Sequence, residues 1–310
     1  MMTTAVVLQG PERLAVERVA LKAGTADHVA VRIEWSAIST GTERLLWTGE
    51  MPPFPGMGYP LVPGYESVGR VVESSTPSVR VGDRVFVPGA SCFADVRGLF
   101  GGAAARLLVP AARVTNVDDL GEEAVLLALA ATARHALASG DGKPAELIIG
   151  HGVLGRLLAR LAVCAGGEPV VWENNPVRAS GARGYRVIDP KDDPRRDYQT
   201  IYDVSGDSAL LSTLLGRLAR GGEIVLAGFY PGKIEIDFPV AFMKEARLRV
   251  AAEWQPEDLR VVHGLVQSRK LALDGLITHR MPFDRAPEAY ATAFTDPECL
   301  KMIIDWRSCQ

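Results

Sequence analysis

Glycine stands at the first, third and sixth places of Gly150-His151-Gly152-Val153-Leu154-Gly155. That spacing has chemical meaning when it follows a strand and opens a helix. The short apolar run Glu146-Leu-Ile-Ile149 precedes it and reads as a strand. Val153 to Cys164 follows and reads as a helix. In that setting Gly150 allows a tight turn, Gly152 lets a diphosphate approach the backbone, and Gly155 lets the helix pack close to the sheet. The helix start offers free N–H groups and a positive dipole end to the phosphates. His151 is expected to touch phosphate or solvent rather than abstract a proton. Glu173, followed by Asn174, ends the next predicted strand, Glu168-Pro-Val-Val-Trp172. Its carboxylate suits ribose hydroxyls and repels a 2′-phosphate, favouring NAD over NADP. Arg178 nearby weakens that preference. Two further turns, Asp203-Val204-Ser205-Gly206 and Ala227-Gly228-Phe229, each close a predicted strand and should face the nicotinamide half.

These residues need a scaffold, and the pattern around them supplies one. Thr200-Ile-Tyr-Asp-Val204 and Glu223-Ile-Val-Leu-Ala227 add two more strands between helical stretches. Such alternation predicts a parallel sheet with helices on both faces over 121–254. Residues 1–120 read differently. Val29 to Ile33, Glu66 to Val72 and Val81 to Val87 are β-rich, and Met51 to Pro60 is a loop because its four prolines fit neither ladder nor helix. Residues 255–310 return to mixed segments and end in a strand-like Lys301-Met-Ile-Ile-Asp-Trp306.

Bulk properties narrow the class. With 310 residues, 47% of them hydrophobic, the chain is long enough for two domains. A net charge of −3 gives no support for nucleic-acid binding. Cys92, Cys164, Cys299 and Cys309 form no CxxC and read as free thiols of a reducing compartment. Neither a signal peptide nor a membrane-spanning apolar run is read. A cytoplasmic protein is expected, and peripheral membrane contact stays open.

Over essentially its whole length the chain resembles the medium-chain dehydrogenase/reductase family. The resemblance rests on Gly64-Tyr-Glu-Ser-Val-Gly69, Val81-Gly-Asp-Arg-Val85, the glycine motif, Gly221-Gly-Glu-Ile-Val-Leu-Ala-Gly228 and Ile277-Thr-His-Arg-Met-Pro-Phe283. It implies an α/β fold: a GroES-like β domain from residues 1–120 and 255–310, with a Rossmann doubly wound domain, 121–254, inserted. It also implies NAD as cofactor and a homodimer. Zinc-using members carry histidine where Tyr65 stands, and cysteine within the stretch read here as Ile38-Ser-Thr-Gly-Thr-Glu43. A catalytic zinc needs three protein ligands. Glu66 alone remains, and the four-cysteine lobe of a structural zinc is missing, so no metal is expected.

A closer resemblance, to a zinc-free branch acting in bacteriochlorophyll synthesis, rests on Ser39-Thr-Gly-Thr-Glu43, Trp47-Thr-Gly and the run from Pro52 to Glu66. It implies a tetrapyrrole substrate of bacteriochlorophyllide type, whose 3-(1-hydroxyethyl) side chain is oxidised to 3-acetyl. Without a metal, a side chain or water must manage the hydroxyl proton. The candidates are Tyr65, Glu66, Thr42, Glu43, Ser39 and Thr40. Tyr65 either meets the developing carbonyl oxygen or simply fills the vacant metal pocket. Glu66 either assists it or forms a buried pair with an arginine. Trp47, Phe54, Met57 and Tyr59 are candidate substrate contacts, although the proline-rich loop also reads as a plain connection. Two other readings stand beside this one: a zinc-free quinone or enoyl reductase using NADPH, and a non-catalytic nucleotide- or pigment-binding member.

Overall fold

Strand His28–Ala37 is the hub of the N-terminal region. It buries Val29, Val31 and Ile33 on one face, and on the other Ala30 and Ser36 are buried as well while Arg32 is exposed. It pairs antiparallel with Ser67–Ser74, with Arg106–Pro110 and with Met302–Asp305 from the far end of the chain. The sheet runs His279–Pro282, Met302–Asp305, His28–Ala37, Ser67–Ser74, Arg84–Val87, Thr115–Asn116. A second sheet joins the hairpin Met2–Gly10/Arg13–Ala20 to Leu61–Val62 and Arg97–Gly98. Val6, Val31, Val71, Val85, Leu107, Tyr290 and Trp306 are buried in the core around these sheets. Each large apolar side chain so buried contributes roughly 1.5–3 kcal/mol against the entropy of ordering it. Residues 51–60 form neither helix nor strand.

The computed structural model describes residues 1–138, 140 and 142–309. Its contacts divide the chain into two units: Met1–Ala128 with Leu276–Gln310, and Leu129–Gly275. The second unit holds six parallel strands ordered Arg186–Ile188, Val170–Trp172, Leu147–Ile149, Tyr198–Asp203, Leu218–Leu226, Arg247–Val250. Numbered along the chain, that order is 3-2-1-4-5-6, the doubly wound arrangement whose switch point lies beside the first strand. The architecture is therefore a largely antiparallel β unit and a Rossmann-type parallel sheet.

Both outermost strands of this sheet, Arg186–Ile188 and Arg247–Val250, were absent from the sequence reading. They are three and four residues long and carry arginine, so their apolar signal is weak. The expected return near residue 255 falls instead at Leu276. Helix Pro256–Gln267 stays with the second unit because Asp258, buried, bonds His135 at 2.9 Å and pairs with Arg134. Arg160 then holds the following segment through the carbonyls of Ala272 (2.7 Å) and Asp274 (3.2 Å). Among the described residues no helix is long and apolar enough to cross a membrane.

Candidate active site

In the second unit the glycine motif does what its spacing demands. Strand Leu147–Ile149 ends at Gly150, whose φ of +102° is open to glycine, and its N–H donates to the Trp172 carbonyl at 3.0 Å. Helix Val153–Cys164 begins after Gly152, with no side chain capping it. Its first N–H groups are left for a ligand. A Cβ on Gly152 would meet nothing within 4 Å, so the space before the helix is open. A Cβ on Gly155 would lie 1.9 Å from the Gly150 carbonyl oxygen. The helix packs too close for any side chain there. Val153 is buried and Leu154 half-buried on the first turn.

Glu173 lies against this turn. Its carboxylate accepts from the N–H of His151 (3.2 Å) and of Asn175 (2.8 Å), while Asn174 is exposed. The expectation for the His151 side chain needs correction. The imidazole is fully buried, bonded through Nδ1 to the Arg178 carbonyl (2.7 Å) and through Nε2 to the Tyr185 hydroxyl (2.9 Å). Burial pushes its pKa down to about 4. It faces neither phosphate nor solvent; only its backbone reaches Glu173.

The two later turns meet around Asp203. The N–H groups of Ala227 and Gly228 donate to its carbonyl at 2.9 and 3.0 Å. The Ser205 N–H and hydroxyl donate to its Oδ1 at 2.9 and 2.6 Å. Val204 continues the ladder to Ile149, Gly206 takes φ +72°, and Phe229 is exposed. Asp203 itself is buried, with Oδ2 unpartnered among the described residues, and burial raises its pKa. Sequence reasoning places it at the start of the turn and gives it no role of its own. Open space at Gly152, uncapped N–H groups and an acid beside the turn fit a nicotinamide dinucleotide laid across the strand ends.

In the first unit a second cluster forms where adjacent strands release their loops. The Ala37 N–H bonds the Glu66 carbonyl at 2.8 Å, which sets Ser39 beside Tyr65. The Tyr65 hydroxyl lies 2.5 Å from Ser39 Oγ and 3.4 Å from Thr42 Oγ1. Its ring meets Phe100 edge-on at 5.3 Å. Burial first, and Glu66 second, push the phenol pKa up, so the hydroxyl keeps its proton. Thr40 is half-buried beside this group without entering it. Thr42 opens the short helix Thr42–Thr48.

Two buried carboxyls brace the cluster from behind. Glu66 is wholly enclosed, and its expected arginine partner is instead Lys301, 2.7 Å away and equally enclosed. Lys301 also donates to the Ile38 carbonyl at 3.2 Å. Burial raises the Glu66 pKa although Lys301 pulls it down. Glu43 accepts from the Ser39 N–H (2.9 Å) and from the Tyr290 hydroxyl (2.7 Å). Burial lifts it to about 7, against the pull of those two bonds. Lys301 and Tyr290 carry no local sequence signal; a lysine opening an apolar strand was the one hint.

The aromatic candidates pack inward. Trp47 tilts against Phe294 at 5.5 Å, and Phe54, Met57 and Tyr59 lean on Leu8, Leu46, Met51, Leu61 and Leu99. The Tyr59 hydroxyl donates to the Leu46 carbonyl. Each is left half-buried, with part of its surface free. Among the described residues no three His, Cys, Asp or Glu side chains are placed to hold a metal ion.

Comparison with known proteins places this geometry among dehydrogenases. Residues 25–119 match the alcohol dehydrogenase GroES-like domain. The chain is 58% identical to the 2-desacetyl-2-hydroxyethyl bacteriochlorophyllide A dehydrogenase of Cereibacter sphaeroides, covering 99% of each. It is 56% identical to the Rhodobacter capsulatus protein of the same description, covering 100% of each. A solved alcohol dehydrogenase from E. coli CFT073, complexed with NADH, superposes with TM-score 0.83 at 20% identity, over 98% of this chain and 99% of that one.

Proposed function

The chain belongs to the family of 2-desacetyl-2-hydroxyethyl bacteriochlorophyllide A dehydrogenases, and from that premise we propose that it oxidises the hydroxyethyl side chain of a bacteriochlorophyllide to an acetyl group. The observation that carries the reading is identity above one half along the whole chain with two such enzymes. The reaction removes a hydride from the carbinol carbon and a proton from its hydroxyl. A nicotinamide dinucleotide, when bound, supplies the hydride acceptor. Gly150, Gly152, Val153, Leu154 and Gly155 would hold its diphosphate, and Glu173 its ribose. Val204, Ser205, Gly206, Ala227, Gly228 and Phe229 would border the nicotinamide half. A half-buried carboxylate at 173 would repel a 2′-phosphate, which supports NAD.

Tyr65 is the group we assign to the substrate oxygen. Its raised pKa makes it a donor rather than a base at neutral pH. With substrate present its proton turns to the carbinol oxygen, and Ser39 donates to the phenol oxygen in turn. Negative charge growing on the carbinol oxygen is thereby stabilised as its own proton passes to water. Glu43 bonds the backbone of Ser39, not its hydroxyl, so it positions. Glu66 is held by Lys301 and does the same. Tyrosine at 65, no cysteine or histidine from 38 to 43, and a lysine-bound Glu66 together support a metal-independent reaction.

A homodimer through the parallel sheet's outer strand completes the proposal. Val250, Met243 and Phe242 are 74%, 72% and 68% exposed, and Arg247–Val250 has an open outer edge. Exposed apolar surface beside an unpaired strand favours association. Sedimentation at micromolar concentration should show a dimer; a monomer would remove this part.

The activity is tested anaerobically with hydroxyethyl bacteriochlorin or chlorin substrates and NAD or NADP. A red shift should follow as the acetyl group joins the conjugated ring, faster with NAD. No shift with either nucleotide in folded protein would sink the reading.

A further inference from the structure

Arg97 is fixed by its backbone to the end of the proline-rich loop. Strand Arg97–Gly98 runs parallel to Leu61–Val62, and the Arg97 N–H donates to the Pro60 carbonyl at 3.0 Å. Its guanidinium lies over Gly58. A Cβ on Gly58 would come within 3.0 Å of the Arg97 Cζ and Nη1, and the φ of +146° there suits glycine. The charge is thus seated over the backbone at Gly58, the residue that joins Met57 to Tyr59. Among the described residues its side chain has no hydrogen bond or ion pair, and it is exposed.

Arg97 also borders a recess of about 570 Å³ lined by Lys22, Pro55, Pro60, Phe93 and Leu99. Asp95 stands at the rim, but its carboxylate is occupied by the Ala20 N–H at 3.1 and 3.3 Å. Lys22 donates to the Ser91 carbonyl at 3.4 Å. The recess therefore holds two cations, Lys22 and Arg97, against the single carboxylate of Asp95, and among the described residues no ion pair forms to Arg97. Leu99 and Phe100 continue from Arg97 towards Tyr65, whose ring Phe100 touches. Phe100 thus links the Tyr65 cluster to the segment that carries the unpaired guanidinium.

A bacteriochlorophyllide offers a partner for each of these groups. It carries a hydroxyethyl group on one ring, a flat apolar macrocycle, and a free propionate carboxylate on the neighbouring ring. We propose that Arg97 binds that propionate. Guanidinium and carboxylate match as a two-point pair. Exposure to water keeps the gain modest. The inference rests on the activity proposed above.

The test compares the free acid with its propionate methyl ester, in wild type and in Arg97→Gln. Wild type should prefer the acid by about tenfold in kcat/KM, through KM. R97Q should lose the preference while its kcat on the ester stays at the wild-type value. Equal use of acid and ester by wild type overturns the inference and leaves the activity standing. So does an acid preference that R97Q retains, which would place the carboxylate elsewhere. Turnover of neither compound by wild type overturns the activity and the inference together.

Discussion

The dinucleotide turn and the Tyr65 pocket are built by opposite means. At the turn, six contiguous residues fix the geometry through backbone alone: one positive φ, one open Cβ position and one close approach. In the pocket, polar side chains are held by partners from the other end of the chain. Lys301 and Glu66 are 235 residues apart, and Tyr290 and Glu43 are 247. A contiguous motif makes a site that tolerates changes elsewhere. A pocket closed by distant pairs makes orientation depend on the whole unit, and it keeps its ionisable groups buried.

The largest expected effect tests that dependence. Lys301→Met leaves Glu66 enclosed and uncompensated, so unfolding free energy should fall by about 3–5 kcal/mol in urea titration. Pairing it with Glu66→Leu should recover most of the loss, because two apolar groups need no partner. If the single variant is as stable as wild type, the buried pair contributes little and the contrast with the turn weakens.

Glu43 comes next. Folded, its carboxyl titrates near 7 against an ordinary value of 4.5, so the native chain binds this proton more tightly than the unfolded chain. Below pH 4.5 both states are protonated and the group is neutral to stability. The cost grows as pH rises towards 7 and is complete above it, at about 3 kcal/mol. Glu43→Gln should flatten the stability profile of wild type across that window. Parallel profiles for the two proteins would contradict the assignment.

Gly155→Ala sharpens the other side of the comparison. With a Cβ 1.9 Å from the Gly150 oxygen, the helix must shift. Stability should fall by about 2 kcal/mol. NAD affinity, followed by tryptophan fluorescence, should fall more than tenfold as the N–H groups turn away. Unchanged affinity would mean that the turn does not hold the diphosphate.

What was legible in the sequence follows the same division. Helix Val153–Cys164 was readable to the residue because a strand, a glycine turn and an apolar run occur in series. Glu173 was readable because its distance from Gly150 is set by one helix and one strand. Tyr65 and Ser39 were readable through resemblance, as replacements for ligands. Their supports were not. An arginine was expected beside Glu66, since it is the commoner partner of a buried carboxylate, and nothing local marks Lys301 as that partner. The inward turn of His151 was equally hidden. Its place within the motif suggested phosphate, whereas Arg178 and Tyr185, supplied by a later loop, draw the ring under the surface.

Metal-independent oxidation is tested most directly by assaying chelator-treated enzyme. Protein-bound metal is first measured by mass spectrometry, and oxidation of the hydroxyethyl substrate with NAD is then followed in wild type and Tyr65→Phe. Wild type stripped to well under one metal per chain should keep its full rate, and Y65F should fall about a hundredfold in kcat, the scale expected for one lost donor at a developing oxyanion. Loss of wild-type activity on stripping, restored by zinc, with Y65F as fast as wild type, would contradict it.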